Sequence, residues 1–349
     1  MPRSPLHRYH QELGARFVDF EGWEMPVLYT SVLKEHRAVR ESTGWFDVSH
    51  LGRFAWSGQG SVAALSRLLC NDHERIGAGG AQYTLILNDD GGVVDDLIIW
   101  KPTPEGVVVM PNGVNHLRVM EEFRAVAPDA DMVDLRPPTA SLAVQGPDSV
   151  ERVRAILGEA PGHFRVIKAH HRGGEVWVAG TGYTGERGVE LITDPNTAEA
   201  IARELTVGGA TPCGLGSRDL LRLEAGYPLW GHDLNEDITP LEAGMQWAVR
   251  FNHDFVGRDA LEQSRERGLA RTRVSFKMAD RRIPREGCAL RAGNSVGAVT
   301  SGNFSPMLGV GIGMGYLSAP RDPSHTVEVE IRGRWIATEP VRGAFYQSA

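Results

Sequence analysis

Apolar residues come in short runs along most of this chain, separated by glycine, proline and acidic turns, so extended segments outnumber helical ones. Residues 107–110, 141–144, 175–179, 273–277 and 326–331 read as strands, most of them short. Elsewhere the pattern changes to a helical period. Residues 31–41 place Val32, His36 and Val39 on one side, and residues 149–157 repeat Val150, Val153, Ile156 and Leu157 at helical spacing. Pro147-Asp148-Ser149 supplies turn and N-cap chemistry ahead of the second helix. Residues 198–205, 217–224 and 258–267 are further helices, with Ser217 as the N-cap of its own. This mixture predicts an α+β fold rich in antiparallel sheet.

After the charged stretch Arg265-Glu266-Arg267-Gly268, about 80 residues run to the C-terminus with strand and turn signals and no helical period. That predicts a small β-barrel or sandwich over 267–349. Residues 1–266 then form one large domain or two interleaved ones. No glycine loop of dinucleotide-binding spacing follows a strand, no phosphate-binding loop is present, and no repeat is visible.

Composition narrows the class. The 349 residues are 42% hydrophobic and 23% charged, ordinary for a folded globular protein. A formal net charge of −7 provides no footprint for nucleic acid. Three scattered cysteines, Cys70, Cys213 and Cys288, suit neither a disulfide framework nor a zinc site, and no metal-spaced cluster is visible. Residues 1–10 lack the apolar core of a signal peptide, and no stretch has the roughly 18 apolar residues of a membrane span. The expectation is a cytoplasmic protein without a membrane or a metal.

The chemistry begins at Asp95-Asp96, between the turn glycines Gly91-Gly92 and the strand-like Leu97-Ile98-Ile99. Side chains alternate along a strand, so only one of the two acids can face a given pocket. A solvated turn acid is the plainer reading. Thr181 to Glu190 interleaves three glycines with Tyr183, Glu186 and Glu190 directly after a strand. Such a backbone can wrap closely around a flat group, the tyrosine can stack on it, and Glu190 can accept two hydrogen bonds from the N–H and amino edge of a pterin or guanine. A glycine-rich hairpin carrying a surface acid has the same composition. Arg218 near a helix start needs a carboxylate partner, such as Asp219 or Glu224, or an anionic ligand. Asn112 and Tyr83 are polar residues at strand ends, and His50 suits a general base or a structural hydrogen bond.

In combination these blocks resemble the glycine cleavage system aminomethyltransferase (T-protein) family, nearly end to end. The likeness rests on Val18-Asp19-Phe20, Phe46-Asp47-Val48-Ser49-His50, Gly91 to Leu97, Val144-Gln145-Gly146-Pro147 and Thr181 to Glu190. It continues through Gly214-Leu215-Gly216, Arg222 to Gly226, Asp254 to Gly257 and Thr300 to Pro306. Trp100, His232 and Met307 depart from the family pattern.

The resemblance implies two interleaved α+β domains and a C-terminal β-barrel around a central cavity. It also implies transfer of the one-carbon unit of an aminomethyl group from lipoylated H-protein to tetrahydrofolate, with release of ammonia, alongside the other glycine cleavage components. Asp96 then matches the catalytic acid. Glu190 matches the pterin grip, with Tyr83, Tyr183 and Asn112 lining the pocket, and Arg218 and Arg342 match folate-tail arginines. Another tetrahydrofolate-dependent methyltransferase or demethylase of the same fold is the alternative.

Overall fold

Alternation along single strands sorts the side chains of this protein into layers. A computed structural model describes residues 1–348. The chain forms two compact units, one of Met1–Leu68, Asp72–Thr84 and Asp96–Asp219, the other of Leu69–Asn71, Leu85–Asp95 and the chain from Leu220 onward. It passes between them within the strands Gly80–Leu87 and Val93–Thr103.

The first unit is layered. A six-stranded sheet runs in the order Val166–His171, Gly174–Ala179, Gly188–Thr193, Ala140–Gln145, Gly44–Asp47, Thr211–Pro212, antiparallel except for the last pair. On one face Val176, Val178, Val189 and Leu191 pack against Val153 of helix Ser149–Leu157 and against Ala198, Ile201 and Leu205 of helix Pro195–Val207. On the other face Ala179 and Ile192 pack against Ala81, Trp100, Val108 and Met110 of the second sheet. That sheet is ordered Gly80–Leu87, Val93–Thr103, Gly106–Met110, Phe54–Ser57, Asp131–Asp134. Beyond it Phe123 of helix His116–Val126 meets Phe54 and Trp56 edge to face at 5.1 and 5.3 Å. The period of two thus gives each strand one face per layer.

In the second unit a seven-stranded sheet runs Arg334–Ala337, Glu328–Ile331, Ala289–Ala292, Ser295–Ser305, Val310–Ser318, Arg271–Lys277, Glu339–Val341. Its two outer strands end and begin at Ala337 and Glu339, which two residues of chain hold within about 7 Å. The sheet must therefore curl until its edges nearly meet, as the helix-free sequence predicts. Among the described residues no helix lies beyond Arg267. In the same unit Asp233 is fully buried; its Oδ2 accepts from Arg222 Nη1 (2.8 Å), Ser301 Oγ (2.7 Å) and Leu229 N (2.9 Å) and its Oδ1 from Thr300 Oγ1 (2.5 Å), so its charge is paired and both oxygens are hydrogen-bonded.

Helix bodies follow the sequence pattern, but two caps do not. Helix Val32–Glu41 is capped by Ser31, whose Oγ accepts from Lys34 N at 3.3 Å. Asp148 does not cap Ser149–Leu157 with its side chain; it accepts from Ser42 Oγ instead (2.9 Å). Ser217 lies inside helix Leu215–Glu224 and donates to Gly214 O. The Glu35 carboxylate does that capping, accepting from Gly214 N at 2.9 Å and setting a negative charge at the positive end of the helix. Local sequence missed it because Glu35 belongs to another helix.

Candidate active site

Along the strand Val93–Thr103 burial alternates as the doublet requires: Asp95 is fully buried and Asp96 partly exposed. Asp96 shares a strand face with Ile98 and Trp100, and Ile98 pairs with Met110 on the neighbouring strand. Two residues further along, the same register sets Asp96 opposite Asn112. Asn112 Nδ2 donates to Asp96 Oδ1 and to the Asp96 carbonyl, both at 3.0 Å, and Tyr83 Oη donates to Asp96 Oδ2 at 2.9 Å. Each carboxylate oxygen thus accepts from a neutral donor. The face that is apolar at Ala81, Trp100, Val108 and Met110 turns polar at Tyr83, Asp96 and Asn112.

Glu190 extends the same change on the facing sheet, one alternation from Ile192 and opposite Ala179. It is 4% exposed, and its Oε2 accepts from Thr181 Oγ1 at 2.6 Å. The Arg218 guanidinium lies 5.2 Å from the Tyr183 ring centre and 6.0 Å from that of Phe46. Burial lowers its pKa from the ordinary arginine value, while Glu190 and then Tyr183 act to raise it; the group stays cationic. Its Nη1 is buried with no hydrogen-bond partner, an orphan that suits a polar ligand atom. The carboxylate that acts on Arg218 is Glu190, and not Asp219 or Glu224 as its neighbours in sequence suggest.

The glycines of Thr181 to Glu190 have a different use from the expected one. A Cβ on Gly182 or on Gly188 would collide with the carboxamide of Gln145, so the loop wraps around this chain's own side chain. Gln145 Nε2 donates to Thr181 O (3.2 Å) and Val189 O (3.3 Å), and its Oε1 accepts from Thr184 Oγ1 (2.8 Å). From outside, Arg40 Nη1 bonds Thr184 O (2.8 Å) and Glu186 Oε1 (2.7 Å), a buried ion pair. Glu190 thus leaves a fixed loop. Thr181, Gln145 and Arg40 had no chemical signature in the sequence, since each acts through a partner distant along the chain. Arg342 follows the edge strand Glu339–Val341 in the other unit and is exposed.

The family model for the GCVT N-terminal domain matches residues 6–253, and the one for the glycine cleavage T-protein C-terminal barrel domain matches residues 271–347. An aminomethyltransferase of Rubrobacter xylanophilus is 43% identical over 99% of this chain and 94% of its own length. One of Halothermothrix orenii is 38% identical over 99% of this chain and 100% of its own. The crystal structure of glycine cleavage system aminomethyltransferase T from Bartonella henselae superposes with a TM-score of 0.91, at 32% identity, covering 99% of this chain and 98% of that one.

Layered α/β sheets, a curled C-terminal barrel and these relatives define a multidomain enzyme of the aminomethyl-transferring class. The chain belongs to the glycine cleavage T-protein family. This is the first of the two activities expected from the sequence. Among the described residues no helix is long and apolar enough to cross a membrane.

Proposed function

We propose that this enzyme moves the one-carbon unit of an aminomethyl group, carried on the lipoyl arm of H-protein, to tetrahydrofolate, and that it works with the other glycine cleavage components in the cytoplasm. In the exchange the carbon leaves sulfur and nitrogen and becomes bonded to two folate nitrogens. The two N–H protons of the folate go to the thiolate and the amine, giving a free thiol and ammonia. The observation that carries the reading is the Asp96 carboxylate, oriented by Tyr83 and Asn112, at the polar end of the face between two sheets.

While the carbon changes partners it bears iminium-like positive charge. A fixed carboxylate stabilises that charge where it develops and needs no reorganisation to do so. Asp96 has this role, and positioning supplies much of the remainder. Glu190 accepts from the N–H and amino edge of the pterin, with Tyr183 beside it, and Arg218 offers its unpartnered Nη1 to a polar ligand atom. Arg342 is assigned to the folate tail, and the chain is assigned the division 1–266, as two interleaved domains, and 267–349. The test is ammonia release from aminomethyl-loaded H-protein with and without tetrahydrofolate. Folate-dependent ammonia is the expected result, and its absence with active carrier removes the reading.

A further inference from the structure

The backbone around His50 is tied on every side while its imidazole Nδ1 has no partner. Val48 N donates to Ser141 O (2.9 Å), Ser49 N to Asp47 Oδ1 (2.8 Å), Gly52 N to Pro111 O (3.0 Å), and Arg53 Nη1 to the carbonyls of Ser49 and Leu51 (both 3.0 Å). His50 is 3% exposed, and its Nδ1 is buried with no hydrogen-bond partner. By contrast His10, equally enclosed, uses both nitrogens, Nδ1 with Tyr29 Oη (2.8 Å) and Nε2 with Asp47 Oδ2 (2.7 Å). A buried polar atom left unpaired is costly, so a segment held this firmly around one calls for a partner from outside the chain.

The position of His50 indicates that partner. Its carbonyl stands 2.6 Å from where a Cβ of Gly113 would be, which sets the residue beside Asn112 and hence beside the Asp96 group. Phe20 meets the imidazole edge to face at 5.3 Å. Arg218 is the charge that acts on the ring most strongly. We propose that His50 is a further ligand-binding residue of this site, its imidazole hydrogen-bonding the polar edge of the N–H-bearing heterocycle that reacts there. The assignment rests on the folate reading of the site. Burial and then the Arg218 charge push the His50 pKa down to about 3, Asp47 opposing. The ring is therefore neutral at physiological pH, offers one donor and one acceptor, and puts no second positive charge next to a cationic carbon.

The test uses the whole enzyme with His50→Leu, His50→Phe and His50→Gln, measuring the tetrahydrofolate Kd, kcat and the thermal midpoint. Leucine is expected to weaken folate binding about tenfold, the worth of one hydrogen bond. Glutamine, which keeps a donor and an acceptor, is expected within about threefold of wild type at the same scale. Phenylalanine keeps the ring against Phe20 and replaces leucine in the test if that variant does not fold. Wild-type affinity in a folded leucine or phenylalanine variant overturns the proposal. So does an equal loss of affinity and of thermal midpoint in all three, which marks a packing role. If wild-type enzyme binds no tetrahydrofolate, it is the folate reading that fails.

Discussion

Neutral hydrogen bonds from Tyr83 and Asn112 orient the Asp96 carboxylate, whereas buried Asp233 accepts from the charged Arg222. Asp96→Asn keeps the shape and removes the charge. Turnover is expected to fall about 10²–10³-fold, as when one preorganised electrostatic contact is lost, with the folate Kd within about threefold. A steady-state ammonia assay paired with a folate titration checks both, and full turnover would take Asp96 out of the mechanism. Glu190→Ala should act the other way round, weakening folate binding roughly ten- to hundredfold, the range for a hydrogen bond to a charged acceptor. Unchanged affinity would put the pterin elsewhere. Asp96 was legible because an acidic doublet at a strand mouth forces one member out of the core. His50 stood out only as a candidate general base or structural hydrogen-bonder, and its unpaired nitrogen, like the Gln145 carboxamide inside a loop, becomes visible only when other strands surround it.

At the scale of elements, the loop bearing Glu190 has its shape because glycines close on Gln145. Gly182→Ala should weaken folate binding by pushing Gln145 aside, and adding Gln145→Ala should restore part of it. A double-mutant cycle with strictly additive effects would refute the clash. Helix His7–Glu12 is tied to strand Gly44–Asp47 by the fully buried Asp47, which bonds His10 and Ser4. Its carboxyl is held near 2, against an ordinary 3.8, because the His10 and Ser49 bonds and the His10 charge outweigh desolvation. A depressed carboxylate stabilises the fold above its unfolded pKa and loses that contribution as pH falls through its folded one. Wild type should therefore lose about 2 kcal/mol more than Asp47→Asn between roughly pH 4.5 and 2, read from denaturant midpoints. Parallel curves would remove Asp47 from acid sensitivity. Helix bodies were legible from their period, but the cap that Glu35 gives to Leu215–Glu224 was not, because it comes from another helix.

For the whole molecule, ligand binding and stability are linked by mass action. Tetrahydrofolate at about a hundred times its Kd should add about 2.7 kcal/mol to stability, seen as a higher thermal midpoint, and the gain should shrink to about 0.4–1.4 kcal/mol in Glu190→Ala at the same concentration. No shift in wild type would contradict folate binding. The sequence by itself determined which segments extend and which coil, since period two and period 3.6 are local properties of the chain. It also determined the curled, helix-free C-terminal sheet and the family, because ordered motifs spanning nearly the whole length are far more specific than any one of them. Only the tertiary structure decided what each polar group faces. Tyr83, Asp96 and Asn112 share one strand face, Thr181 and Glu190 pair across another sheet, and Arg218 lies by Tyr183. Partners tens of residues apart in the chain meet through sheet register and layer packing, and no local pattern encodes that meeting.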